Sequence, residues 1–311
     1  MENKRMKDLI IIGAGPAGLT AAIYGIRSGL DLMILEKLSP GGQVMNTYEV
    51  ENYPGFVEPV SGWELMSCME NQTRRLGAEI ASGEVDSVRR DAKGSVFVVT
   101  LSDKSEVHAK TVIAAAGASY RRLKVPGEED LIGHGVSFCA TCDGAFYKDR
   151  VCAVIGGGDT ALEEAHFLTR FARKVYLIHR RDQFRGVKIL QERISASERI
   201  EPVIDTVVES INGSMKVESI ALKNVKTGKQ STLAVDGVFI FVGFDANTGF
   251  LPAEILDKNR EVITDIKMRT SIPGLFAAGD LRSGSRRQIV MAAAEGATAA
   301  LEAYDYILGL T

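Results

Sequence analysis

The residues best placed to do chemistry are Cys139-Ala-Thr-Cys142-Asp143-Gly144. Two thiols separated by two residues can close a small disulfide ring, and such a motif lowers a thiol pKa to about 7 or below. That chemistry is reversible dithiol–disulfide exchange. A zinc site would need four ligands. No second C-x-x-C exists, and Cys68, Cys152 and His134 have no ligand-like spacing, so no metal is expected. Asp143 suits either of two roles: a proton donor or acceptor for a leaving thiolate, or a carboxylate capping a turn. Cys68, in a helical pattern from Gly62 to Leu76, and Cys152, opening an apolar strand, read as core residues. His108, His134, His166 and His179 form no catalytic grouping.

Two glycine-rich turns flank this segment. Gly13-Ala14-Gly15-Pro16-Ala17-Gly18 and Gly156-Gly157-Gly158-Asp159-Thr160-Ala161 each follow an apolar run and open a helical one. In such a turn the first glycine makes the bend and the second lets backbone N–H groups reach a pyrophosphate. The third position brings helix and strand close together. The end of the next strand selects the nucleotide. Glu36, 18 residues past Gly18, is near the ~20 expected of a carboxylate that binds a ribose hydroxyl. It would repel a 2′-phosphate, which suits FAD or NAD. The second copy has His179-Arg180-Arg181 there, with Arg185 and Lys188 behind. Guanidinium forks match a 2′-phosphate and favour NADP.

The elements that must hold these turns repeat. Asp8–Ile12, Leu19–Ser28 and Leu32–Leu35 spell strand, helix, strand; Val151–Ile155, Leu162–Phe171 and Val175–Ile178 spell it again. Each copy closes on an apolar strand ending in glycine: 111–117, finishing at Gly117, and 236–243, finishing at Gly243. Meander strands lie between, at Val85–Val88, Val96–Leu101 and Glu106–Ala109, then at Glu218–Asn224 and Thr232–Val235. After Gly243 come strand-like pieces at 262–263, Met268–Ser271 and Leu275–Ala278, then Gly279-Asp280 and a helix from about Arg287 to Ile307. This tail is too short for a third domain and completes the first, making the second copy an insertion. The expectation is an α/β chain of two Rossmann-like three-layer nucleotide-binding domains, one that favours NADP inserted into one that suits FAD or NAD. The first spans 1–117 and 246–311 and the second spans 118–245. Paired short crossings, near 118–125 and 244–248, are how a hinge is built.

Bulk properties agree. The 311 residues suffice for two domains, and 45% hydrophobic with 25% charged residues supplies ordinary cores. A net charge of −3 lacks the concentrated basic face of a nucleic-acid binder. Four cysteines are too few for a secreted disulfide framework. No apolar run approaches the ~18–20 residues of a membrane span. Lys4, Arg5 and Lys7 before Leu9–Ile12 imitate the start of a secretory signal, but the glycines of the first turn interrupt it. A cytoplasmic protein is expected.

The chain resembles the low-molecular-weight thioredoxin reductases nearly from end to end. The likeness rests on the two turns, on 41–43 (Gly-Gly-Gln) and 51–55 (Glu-Asn-Tyr-Pro-Gly), on Cys139–Gly144, on 179–185, on Gly274–Asp280 and on Arg287-Gln288. The resemblance implies FAD in the first domain, with Gly42, Gln43 and Asn52 near the flavin, Asp280 at the ribitol chain and Arg287-Gln288 at the isoalloxazine. It implies NADPH in the second domain, a thioredoxin-like protein as substrate, a homodimer, and Cys142 as the sulfur facing the flavin. Because the cysteines and the NADP turn share one domain, it further implies that this domain rotates to present them to the flavin alternately. Departures are small: Gly186 where alanine is frequent, Asp159 where asparagine is, and Ala115 in the first closing strand. The alternative is the reductase component of an alkyl hydroperoxide or thioredoxin-like system. That family usually carries an extra N-terminal relay module, whereas here the first strand begins at residue 8.

Overall fold

A computed structural model describes residues 6–46, 50, 52–92, 94, 96–138 and 140–309, with the backbone alone for Asn46, Thr141 and Cys142. The chain divides into two compact units, 1–119 with 245–311, and 120–244.

The first unit begins with β1 (Lys7–Ile12), α1 (Pro16–Arg27), β2 (Leu32–Glu36), α2 (Gly62–Arg75) and β3 (Glu79–Ser82). A meander follows, β4 (Val85–Arg90), β5 (Phe97–Leu101) and β6 (Glu106–Ala114). The sheet order is β3-β2-β1-β6-β5-β4. β1, β2, β3 and the C-terminal half of β6 run parallel, while β4 and β5 join the N-terminal half of β6 antiparallel. Continuous apolar runs form these strands because the parallel part is covered on both faces. Side chains alternate across it. Leu9 and Ile11 pack with α1 and with Met66 and Met69 of α2, whereas Ile10 and Ile12 pack with Val88, Phe97 and Val99 of the meander.

The chain leaves this unit through β7 (Ala118–Tyr120). In the second unit β8 (Val136–Ser137), α3 (Ala140–Asp143), β9 (Val151–Gly156), α4 (Asp159–Leu168), β10 (Lys174–Ile178), α5 (Lys188–Ala196) and β11 (Ile200–Val203) come in turn. A separate meander, β12 (Thr206–Asn212), β13 (Ser219–Asn224) and β14 (Gln230–Ala234), leads into β15 (Gly237–Phe241). The parallel order is β11-β10-β9-β15-β8. The same alternation returns: Cys152 and Val154 face Leu162 and Leu190 of the helices, and Ala153 and Ile155 face Val208, Ile220 and Leu222 of the meander.

The chain returns through β16 (Phe244–Ala246) to β17 (Leu275–Ala277), which joins β6 in parallel, and ends in α6 (Ile289–Ile307). Helices, parallel sheet and meander make three layers in each unit, the expected α/β class. Three details differ from expectation. The meander strand at Glu106–Ala109 and the closing strand after it are one nine-residue strand, β6. The pieces at 262–263 and Met268–Ser271 form only isolated bridges, through Val262 and Arg269. Cys68 is exposed, because it lies off the stripe of Leu65, Met66, Met69 and Thr73 that α2 buries. Among the described residues, no helix is long and apolar enough to cross a membrane.

Candidate active site

In the first unit the turn is built by contacts that leave no room for side chains. Gly13 has φ +103°, and a Cβ there would stand 2.4 Å from the Ala115 carbonyl oxygen. Gly18 is tighter still: its Cβ would fall 1.8 Å from the Gly13 oxygen. Gly15, the N-cap of α1, faces open space, and no side chain caps the helix. No acidic residue occupies the first turn of α1. Its free N–H groups and positive dipole end are therefore available to an anion. Glu36 ends β2 with both carboxylate oxygens in use. Ala14 N–H donates to Oε2 at 2.7 Å and Leu38 N–H donates to Oε1 at 2.9 Å. Each oxygen keeps lone-pair capacity for a ribose hydroxyl. Gly41 N–H donates to the Ala14 oxygen at 2.8 Å, and a Cβ on Gly42 would lie 3.4 Å from Gly15 Cα. Gln43, next in the chain, is exposed.

The returning segment closes on the same turn. A Cβ on Gly279 would meet that of Ala17 at 3.1 Å, and one on Gly296 of α6 would fall 2.1 Å from the Ala17 oxygen. Gly279 N–H donates to Glu295 Oε2 at 2.7 Å, and Arg282 binds the other oxygen of the same buried carboxylate. Asp280 is pushed up to about 6 by burial; Arg287 works against this and Glu295 adds to it. Arg287 has φ +52° and donates to Glu261 Oε1 at 2.8 Å. Asn52 Nδ2 donates to Gln288 Oε1 at 3.0 Å, joining residues 236 apart in sequence. Glu51 and Cys139 lie outside the described residues, as does the side chain of Cys142.

The second unit builds its turn differently. A Cβ on Gly156 would stand 2.3 Å from the Phe241 oxygen and 2.6 Å from the Cβ of Ala161, the third position. A Cβ on Gly157 would enter the His179 ring at 2.3 Å, so the imidazole lies against the turn itself. His179 is buried, packs 5.4 Å from the Phe184 ring, and its Nε2 has no partner among the described residues. Burial holds its pKa below the ordinary range, and the nearby Arg185 and Arg181 reinforce that, against bonds to the Gln183 and Gly156 backbone. A buried orphan nitrogen beside an uncapped helix start is the signature of a missing polar partner. Gly158 caps α4 without a side-chain bond, and the helix opens with Asp159 and Thr160. Arg185 N–H donates to the Gly157 oxygen at 2.6 Å, and Val187 N–H donates to Asp159 Oδ1 at 2.7 Å. Arg180, Arg181 and Arg185 are exposed, with no ion pair among the described residues. Asp159 acts here as an acceptor, a role asparagine fills equally. At Gly186 an alanine Cβ would meet Leu162 Cδ1 at 2.3 Å and Asp159 Oδ1 at 3.2 Å, so the two departures from the thioredoxin-reductase pattern share one contact.

Sequence reasoning missed Glu164. Its Oε2 accepts from Ala140 N–H at 2.8 Å, fastening the start of α3, and with it the cysteine segment, to the helix of the second turn. Asp143 ends α3, half-buried. Cys152 is buried and its thiol is pushed up to about 12 by burial, with Asp236 adding to it. That thiol stays protonated and inert.

With both turns in place, the comparisons have a structural context. Residues 7–296 match the model of the pyridine nucleotide-disulphide oxidoreductases. The chain belongs to that family. A thioredoxin reductase from Listeria innocua serovar 6a is 45% identical over 306 residues, covering 98% of this chain and 95% of the relative. A bifunctional thioredoxin reductase/thioredoxin from Mycobacterium leprae is 43% identical over 308 residues, 98% of this chain and 67% of that protein. The crystal structure of Lactococcus lactis thioredoxin reductase (FR conformation) matches with a TM-score of 0.87 at 45% identity, covering 98% and 100% of the two chains. Within the family the likeness is thus to thioredoxin reductases over the full length. Of the chain's two glycine turns, one opens a helix backed by a carboxylate and the other a helix backed by exposed arginines.

Proposed function

We propose that this chain is an NADPH-dependent thioredoxin reductase, holding FAD in the first unit and NADPH in the second. The observation that carries the reading is the opposite charge behind two otherwise parallel turns. In the first unit Gly13–Gly18 and the N-terminus of α1 would hold the FAD pyrophosphate, and Glu36 would bind the adenosine ribose. Gly42, Gln43, Asn52, Gly117, Asp280, Arg287 and Gln288 would surround the rest. In the second unit Gly156, Gly158, Asp159 and Thr160 would hold the NADPH pyrophosphate. His179, Arg180, Arg181 and Arg185 would take the 2′-phosphate end.

FAD, when bound, supplies two-electron chemistry between a nicotinamide and a disulfide. The chain's own part is the Cys139/Cys142 pair, which accepts two electrons and two protons to become a dithiol. The dithiol then returns them by exchange with a protein disulfide. Overall, NADPH, one proton and a disulfide yield NADP+ and two thiols. Asp143 is placed in sequence to hand over or receive a thiol proton. Glu164 anchors the segment. Phe146, 81% exposed three residues beyond Asp143, offers an apolar contact to the incoming protein. The cysteines and the nicotinamide would share one unit, so each would have to reach the flavin in turn, by rotation about the crossings at β7 and β16. Soluble cytoplasmic location and a homodimer belong to the same proposal.

The test uses the flavin-loaded protein, NADPH or NADH, a thioredoxin and a Cys142→Ser control. NADPH-dependent thioredoxin reduction abolished by Cys142→Ser is expected. Flavin reduction by NADPH without thioredoxin reduction would favour the peroxide-system alternative instead.

A further inference from the structure

The arginine loop of the second unit contains one carboxylate, Asp182, between Arg181 and Arg185. A carboxylate there opposes the 2′-phosphate for which the arginines are arranged. The structure shows what offsets it. Lys226 Nζ, on the turn between β13 and β14, lies 3.3 Å from Asp182 Oδ2 and 3.0 Å from Asp205 Oδ2. The lysine is pre-placed by its backbone. Asn224 Oδ1 accepts from Lys226 N–H at 3.1 Å and from Thr227 N–H at 2.9 Å, and Gly228 closes the turn at φ +73°. The turn is in turn fastened to the loop. Val225 N–H donates to the Asp205 oxygen at 2.7 Å, Asp205 N–H to the Arg181 oxygen at 3.1 Å, and Thr206 N–H to the His179 oxygen at 2.9 Å. The Asp205 side chain is 14% exposed and is the firmer partner, so Lys226 stays beside the loop whichever way Asp182 swings.

We propose that Lys226 is a specificity-determining residue. By pairing with Asp182 it keeps the loop's single carboxylate from opposing a 2′-phosphate, and so sharpens the preference for NADPH over NADH that the arginines set. It acts through Asp182 rather than by touching the nucleotide. The inference rests on the NADPH reading above.

Asp182 is 63% exposed and Lys226 57%. The effect is therefore that of an exposed ion pair, a change of about two- to fivefold, falling as salt rises. Three variants of the flavin-loaded enzyme test it, Lys226→Gln, Asp182→Asn and the double variant. The measurements are KM and kcat with NADPH and with NADH, and binding of 2′,5′-ADP against 5′-AMP by calorimetry. Lys226→Gln should raise the NADPH KM and weaken 2′,5′-ADP by that factor, leaving kcat and the NADH KM in place. The double variant should recover NADPH affinity, because the carboxylate no longer needs a partner. Equal loss for both nucleotides, no loss, or a double variant no better than Lys226→Gln overturns the proposal. A parent enzyme that binds 2′,5′-ADP no better than 5′-AMP would instead overturn the NADPH reading itself.

Discussion

The two glycine turns occupy equivalent places in two three-layer units, yet they are packed to different tolerances. In the first, the third glycine presses directly on the first; in the second, a methyl group fits the same position. The first is clamped by a carboxylate that takes two backbone N–H groups, the second by an imidazole laid flat on glycine. The sheets differ in the same sense. In the first unit the last meander strand and the closing parallel strand are continuous, as β6. In the second they part at Val235-Asp236, where the Asp236 N–H donates to the Val151 oxygen at 2.8 Å and its carboxylate accepts from Val151 N–H at 2.9 Å. One plan thus carries two fittings, a carboxylate behind the first turn and exposed arginines behind the second.

The contrast can be broken first at its tightest point. Gly18→Ala places a methyl against a backbone oxygen that cannot rotate away, so a loss of about 3 kcal/mol or more is expected. Thermal unfolding and the flavin content of the purified protein measure it; a protein of normal stability and colour would show that the helix can simply shift. Next comes the charge behind the second turn. Arg181→Ala should raise the NADPH KM about 10- to 100-fold, the scale of a lost charge-assisted bond. The NADH KM should hardly move, and steady-state kinetics with both nucleotides decide.

The third prediction concerns Asp280. Its carboxyl titrates near 6 in the folded chain, above the usual carboxylate range. Between about pH 4 and pH 6 the folded state therefore holds more protons than the unfolded one, and this group's contribution to stability falls as pH rises. Asp280→Asn should remove that fall, worth about 1–3 kcal/mol. The difference in melting temperature between variant and parent, followed from pH 4 to 7 in flavin-free protein, should widen in the variant's favour as pH rises. A constant difference would mean the carboxyl is not held neutral. The smallest effect is the mirror of the first. Ala161→Gly in the second turn should cost only about 0.5–1 kcal/mol, the helix-interior glycine penalty. A cost matching that of Gly18→Ala would erase the distinction between the turns.

Much of this was readable beforehand because it is local. Apolar runs of five or six residues, a glycine turn and a helical stretch are near neighbours in sequence, and their order fixes strand, turn and helix. The charge at the end of each second strand is equally local. The misreadings share a cause. Cys68 looked like core since a helix shows its buried face only when its partner is known. The meander and closing strands looked separate because Lys110, exposed between Ala109 and Thr111, interrupts the apolar pattern without interrupting the strand.

By itself, then, the sequence determined the α/β class, the two turns, the cysteine pair and the sign of charge behind each turn. Tertiary structure alone decided that Asn52 meets Gln288, that Glu295 grips Gly279, that Glu164 fastens the cysteine segment and that Lys226 reaches Asp182. Periodicity and turn chemistry act over a few residues. These contacts join segments brought together by sheet register and helix packing, which no short stretch of chain encodes.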